Sequence, residues 1–153
     1  MDEELFKKAE KAAARLLKFR QTKRGFKDKM RRKGYPADVV EALTEKAENL
    51  GYINDSAYAA AFAHDSVLIN RYGKIKVLRS LFGKGIDKET AAEALSAFDD
   101  EIYLDNLRYF VYKYFGSAVR VGKEDMEYFK KKMLARGYTY RQIQAVTEAL
   151  MSE

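Results

Sequence analysis

Cysteine is absent from the 153 residues. That excludes disulfides and thiolate metal sites. It also suits a reducing compartment, so the cytoplasm is the expected location. Proline occurs once, as Pro36, and glycine nine times. Sheet- and loop-rich folds need more turn residues than that. A chain with little proline and much Ala, Glu, Lys and Leu reads as all-α. No apolar run approaches the roughly 18 residues of a membrane helix. The opening "MDEELFKKAEKAAARLLKF" is acidic and then amphipathic. It lacks a short apolar block ahead of a small-residue cleavage site and does not read as a signal peptide. Histidine also occurs once, as His64. With no second histidine or cysteine it cannot complete a metal site. Its neighbour Asp65 should point away from it on a helix. The carboxylates are scattered, and Gly83-Lys84-Gly85 is too short for a phosphate loop. No catalytic residue, metal or cofactor is expected, and the chain does not read as an enzyme.

Charge and apolar content are plentiful. Hydrophobic residues make up 47% and charged residues 34%, enough for a core beneath long exposed helix faces. The net charge of +6 is unevenly placed: residues 1–52 carry net +5, residues 53–102 net −2 and residues 103–153 net +3. Two basic ends point to contact with a polyanion or an acidic protein surface.

The apolar pattern repeats. Around Gly34, the offsets −8, −4, +6, +9 and +13 hold Phe26, Met30, Val40, Leu43 and Ala47. Around Gly85 the same offsets hold Val77, Leu81, Ala91, Ala94 and Phe98. Around Gly137 they hold Phe129, Met133, Ile143, Val146 and Leu150. The glycines lie 51 and 52 residues apart, and each follows a cation: Lys33, Lys84 or Arg136. Three matches at a near-constant period define an internal repeat. Two offsets before the glycine describe the end of one helix, and three after it the stripe of the next. The glycine is the left-handed cap between them, and the cation complements the helix C-terminal dipole. Asp38, Asp87 and Thr139 fall where they can cap or charge the second helix. A further helical stretch precedes each pair, over roughly 3–20, 55–72 and 101–116. The expected architecture is therefore all-α: three tandem three-helix repeats, 1–52, 53–100 and 101–153, about nine helices in an elongated, curved array with right-angle turns. Each repeat is too small to bury a core alone, so they form one continuous repeat domain.

The candidate contact residues are basic or aromatic. Arg15 to Lys33 holds ten Lys/Arg and one acid, Asp28. With Phe26 and Met30 turned to the core, helical geometry sends Arg24, Lys27, Arg31 and Arg32 outward, and Arg20 belongs to the same run. Lys130 and Lys131 flank Phe129 and should also face out. Aromatics crowd the last repeat, from Tyr103 to Tyr140, and most of them should pack between helices. Tyr112 and Tyr140 are the best candidates for exposure. Basic and aromatic side chains together can track and stack on a single strand of nucleic acid. Gly34, Gly85 and Gly137 are structural.

Several segments resemble the RecX family, bacterial regulators of RecA recombinase. The first is Gly51-Tyr52-Ile53-Asn54-Asp55 followed by Tyr58-Ala59. The second is the run Gly73, Leu78, Leu81 and Lys84-Gly85-Ile86. The third is the closing "KKMLARGYTYRQIQAVTEAL". The resemblance extends from about residue 9 to the end. It implies a bent rod of three three-helix repeats. It also implies a protein that binds RecA filaments on single-stranded DNA, lies in their groove, and modulates, chiefly by damping, ATP hydrolysis and strand exchange in DNA repair and recombination; the chain itself is expected to be a monomer. The rival reading is a tandem helix-turn-helix protein that binds nucleic acid without RecA. For that role "ADVVEALTEKA" and "KETAAEALSAF" are poorly charged, and only "YRQIQAVTEAL" carries plausible base-reading side chains.

Overall fold

The structure, a computed structural model, describes residues 2–151. Met1 and the last two residues of the third expected repeat lie outside that range. Nine α-helices occur among the described residues. They are α1 (Glu3–Leu16), α2 (Lys23–Arg32), α3 (Ala37–Asn49), α4 (Asp55–His64), α5 (Lys74–Gly83), α6 (Lys88–Leu95), α7 (Asp100–Phe115), α8 (Lys123–Ala135) and α9 (Tyr140–Thr147). A π-helical turn (Asp65–Ile69) extends α4, and a 3₁₀ turn (Glu148–Leu150) follows α9. Val121 and Met151 form an isolated parallel bridge, the one element of β pairing among the described residues. The helices group in threes as the repeat requires.

The corner between the second and third helix of each repeat is the same motif three times. Gly34, Gly85 and Gly137 have φ of +92°, +87° and +99°. Each glycine N–H donates to the carbonyl three residues back: Arg31, Phe82 and Leu134. The next residue, Tyr35, Ile86 or Tyr138, donates to the carbonyl of Met30, Leu81 or Met133 at 3.1–3.4 Å. These paired bonds satisfy the last carbonyls of the helix and need a residue without Cβ in the left-handed region. The following helix begins differently each time. Thr139 and Gln142 form a reciprocal capping box, and Asp87 accepts from the Thr90 N–H at 2.7 Å. α3 starts from Pro36, which offers no side-chain cap, and Asp38 in its first turn accepts from the Val39 N–H at 2.9 Å.

The first helix of two repeats is shorter than the periodicity predicts. α1 stops at Leu16 because Gln21 Nε2 donates back to the Leu16 carbonyl, while Thr22 Oγ1 accepts from the Gly25 N–H and starts α2. α4 stops at His64, the chain widens into the π turn, and the left-handed Arg71 (φ +55°) ends it. That widening also brings His64 Nδ1 to 3.2 Å from Asp65 Oδ1, where α-helical neighbours would point apart.

The chain packs as two compact units. One holds the residues up to Ala61 together with Leu81–Ala91, and the other holds Phe62–Ser80 and the chain from Ala92 onward. In the first unit α1, α2 and α3 pack on one another around Ala9, Ala13, Phe26, Met30, Val40 and Leu43. In the second, α9 packs on α7 and α8, and the fully buried residues include Leu107, Phe129, Met133, Tyr138 and Ile143. Of the fifteen repeat positions, Ala94, Phe98, Val146 and Leu150 are half-buried and the rest are buried.

Candidate functional site

The basic run of the first unit is less free than its composition suggests. Lys27 is half-buried rather than turned out, because its ammonium pairs with Glu41 at 2.9 Å. That hydrogen bond holds the Glu41 carboxyl below its usual range. Arg31 reaches Asp28 and Glu41 at 3.8 and 3.7 Å. Arg24 donates to the Gly83 carbonyl and packs over Gly85, so its role is to fasten α2 to the end of α5. Lys23 pairs with Glu48 at 3.0 Å, and that bond raises its pKa. Arg20 and Arg32 are exposed with no ion pair among the described residues. Of the outward-facing candidates on this run, these two keep an unshared charge.

The second unit carries a different surface, built on α7 and on the segment after the π turn. Arg71 lies 3.8 Å from the centroid of the Tyr109 ring, and Lys113 approaches the same ring at 5.9 Å. Lys76 sits 4.2 Å from the Tyr72 centroid. Arg136 lies between Tyr72 and Phe110, at 4.7 and 4.5 Å, and donates to the Asn70 carbonyl. Arg136 therefore does more than complement its helix end. With Tyr138 Oη, which donates to the Arg71 carbonyl at 2.5 Å, it holds the left-handed residue in place. None of these four cations has a carboxylate partner among the described residues. A hollow of about 370 Å³ lined by Phe110, Lys113, Tyr114 and Arg136 opens beside them.

The aromatics divide more evenly than expected. Tyr103, Phe110, Phe129 and Tyr138 are buried and Phe115 is half-buried, but Tyr109, Tyr112, Tyr114, Tyr128 and Tyr140 are exposed. Tyr112 is 71% and Tyr140 62% exposed. Five exposed rings exceed what core packing requires, and Arg71, Lys113 and Lys132 lie against three of the aromatic contacts they make. Of the lysine pair on α8, Lys131 is exposed. Lys130 is half-buried, its ammonium 3.7 Å from the Met151 sulfur, and does not face out freely. The sequence named Tyr112 but missed Arg71, Tyr72 and Lys76, because only the fold brings residues 71–76 onto α7 and α8.

Other surfaces offer less chemistry. An apolar groove of about 400 Å³ between α1 and α3 is walled by Leu17, Leu43, Leu50 and Tyr52. Its facing charges, Glu10 and Lys46, neutralise each other at 2.9 Å. It suits apolar contact rather than acid–base work. No group of three metal-ligating side chains occurs among the described residues, and none of their helices is long and apolar enough to cross a membrane. On α9, Gln142 is committed at both ends: its Oε1 accepts from the Thr139 N–H and its Nε2 donates to Asp100. It cannot also read a base edge.

Comparison with known proteins bears on the fold. Residues 54–95 match the family model described as RecX, second three-helix domain. A regulatory protein RecX of Clostridioides difficile is 26% identical, the match covering 99% of this chain and 72% of that protein. One from Lactobacillus delbrueckii subsp. bulgaricus is 27% identical over all of this chain and 57% of its own length. The chain thus spans between about half and three quarters of these relatives. The crystal structure of RecX from Lactobacillus salivarius superposes with a TM-score of 0.85, covering 96% of this chain and 97% of that one, at 22% identity. A second RecX crystal structure gives 0.82 at 18% identity. Both share the fold. Corners, helix grouping and surfaces define an all-α tandem three-helix repeat protein with a cation–aromatic face. In sequence along its length and in fold it is similar to the RecX regulatory proteins.

Proposed function

We propose that this protein binds RecA-type recombinase filaments on single-stranded DNA and damps their ATP hydrolysis and strand exchange, in the regulation of DNA repair and recombination. The observation that carries the proposal is the face of Arg71, Lys76, Lys113 and Arg136, four cations laid on aromatic rings without a carboxylate partner among the described residues. A nucleoprotein filament presents phosphate and acidic protein surface at regular spacing. A face of this kind gains from such an array through charge and through multiple weak contacts. Similarity to the RecX regulatory proteins supports the choice of recombinase. In this reading the protein acts by binding, without cofactor or catalysis, as a cytoplasmic monomer.

The test is a RecA ATPase and strand-exchange assay on single-stranded DNA with purified protein added. Inhibition at or below one protein per recombinase protomer is the expected result, and no effect at equimolar protein rules the proposal out. The exposed Tyr112 beside Lys113 also favours direct contact with the DNA strand, the rival reading. Fluorescence anisotropy with single-stranded DNA alone separates the two. Tight, salt-steep binding without recombinase belongs to the rival.

A further inference from the structure

Two of the three repeat corners are covered by the start of a helix from the preceding repeat, one such contact within each unit. In the first unit the start of α2 meets the end of α5: Thr22 Oγ1 donates to the Lys84 carbonyl at 2.9 Å, and Arg24 to that of Gly83. In the second unit the start of α5 meets the end of α8: the Gly73 N–H donates to the Arg136 carbonyl at 2.8 Å, and the Ile75 N–H to that of Gly137 at 3.1 Å. Each joint places the positive end of one helix dipole on the negative end of the next. The fit is close. A Cβ on Gly85 would lie 2.7 Å from Arg24 Cβ, and one on Gly137 would lie 2.5 Å from Lys76.

The remaining corner, at Gly34, has the same backbone and the same bonds, yet a Cβ there would meet nothing within 4 Å. At the remaining helix start, Gly122-Lys123 of α8, Val121 is held by Leu150 and Met151, but Gly122 itself is clear: a Cβ there meets nothing among the described residues, whereas one on Gly73 would lie 2.2 Å from the Gly137 carbonyl carbon. Their charges are opposite. The last turn of α2 carries Lys29, Arg31 and Arg32, with Lys33 at the cap. The first turn of α8 carries Glu124 and Asp125, neither of them in an ion pair among the described residues. Within the chain, a helix start always docks on the corner of the following repeat. The start of α8 in one copy and the Gly34 corner of another continue that order.

We infer that the Gly34 corner is a docking surface for a second copy of this chain, whose α8 start seats on it with Glu124 and Asp125 facing Arg32 and Lys33. The contact is heterologous, so copies add in one direction. One such joint is small, so the protein is monomeric when dilute and associates where copies are held side by side. This inference does not rest on the recombinase reading, since its test uses neither DNA nor recombinase.

The absence of native cysteine allows a direct test. Lys33→Cys and Lys123→Cys are made separately and treated at high concentration with a short bismaleimide. A cross-linked dimer is expected when the two variants are mixed and not from either alone. Arg32→Glu in the first variant should lower the yield about tenfold, and Glu124→Lys in the second should restore it. All four positions are exposed, and circular dichroism checks that the fold is kept. A mixture that cross-links no better than Glu45→Cys with Lys123→Cys, or a yield indifferent to both charge changes, overturns the inference.

Discussion

The backbone of Gly73 rests directly on that of Gly137. A Cβ added to Gly73 would lie 2.2, 2.3 and 2.4 Å from the Gly137 carbon and oxygen and the Tyr138 nitrogen. Those atoms are main chain and cannot swing aside. Gly73→Ala would therefore break the bonds that tie the start of α5 to the end of α8. The expected cost is about 3 kcal/mol or more, a fall of roughly 10 °C in the thermal midpoint. Gly34→Ala meets no atom and bears only the left-handed strain, about 1–2 kcal/mol. Gly122→Ala should be close to neutral. Differential scanning calorimetry of the three variants checks that order.

The two buried tyrosines of the second unit should behave oppositely. Tyr138 Oη donates to the Arg71 carbonyl, so Tyr138→Phe leaves that carbonyl short of a partner and releases a residue held at positive φ. A loss of about 1–3 kcal/mol is expected. Tyr103 Oη is buried without a hydrogen-bond partner among the described residues, so Tyr103→Phe should leave stability at neutral pH unchanged or raise it by up to about 1 kcal/mol. Denaturant unfolding of both variants measures the difference.

A pH dependence follows from the same pair. Burial pushes the Tyr103 phenol up to about 12 and raises that of Tyr138 as well. A raised phenol pKa means that the folded state holds the proton more tightly than the unfolded chain. That stabilisation is fully present below the ordinary tyrosine value, about 10, and is lost as the pH rises from there toward the folded values. Stability should be flat through neutrality in this respect and fall above about pH 10, with a shallower fall in Tyr103→Phe.

The cations should sort by whether they are already paired. Lys27 and Glu41 form a surface pair, and Lys27→Ala should change stability by no more than about 1 kcal/mol. It should also leave binding to the filament or to single-stranded DNA untouched. Lys113 has no carboxylate partner among the described residues and lines the hollow beside Arg136. Lys113→Ala should weaken binding and, where DNA is touched directly, reduce the slope of log affinity against log salt by about 1. A titration at three salt concentrations distinguishes the two.

The repeat was legible because burial at a corner demands both an apolar stripe and a glycine. Phe26, Met30 and Val40 could be placed from spacing alone, and so could the left-handed glycines. The helix lengths were less legible. Nothing in periodicity reveals that Gln21 turns back to cap α1, or that Asp65 opens a π turn. The surface was least legible. Arg24 and Lys27 look like free cations in one dimension and are committed in three, to Gly83 and Glu41. Arg71 and Tyr109 stand 38 positions apart in the chain, and only folding brings them into contact. Composition marked the basic α2 run, whereas the cations layered on aromatics stand on the other unit.

Tyr112 tests that surface most directly. It is 71% exposed, on the helix that carries Tyr109 and Lys113, and none of the ring contacts described above involves it. Its removal should cost the fold nothing. If the face takes a nucleotide strand or a filament surface against this ring, Tyr112→Ala should weaken binding by about 1–3 kcal/mol, roughly five- to a hundredfold or more. Tyr112→Phe keeps the ring and should bind like the parent. Anisotropy titrations with single-stranded DNA and with assembled filament, alongside circular dichroism, separate lost stacking from lost structure. Equal binding by the alanine variant on both ligands would remove Tyr112 from the interface and leave the Arg71, Lys113 and Arg136 charges to hold it alone.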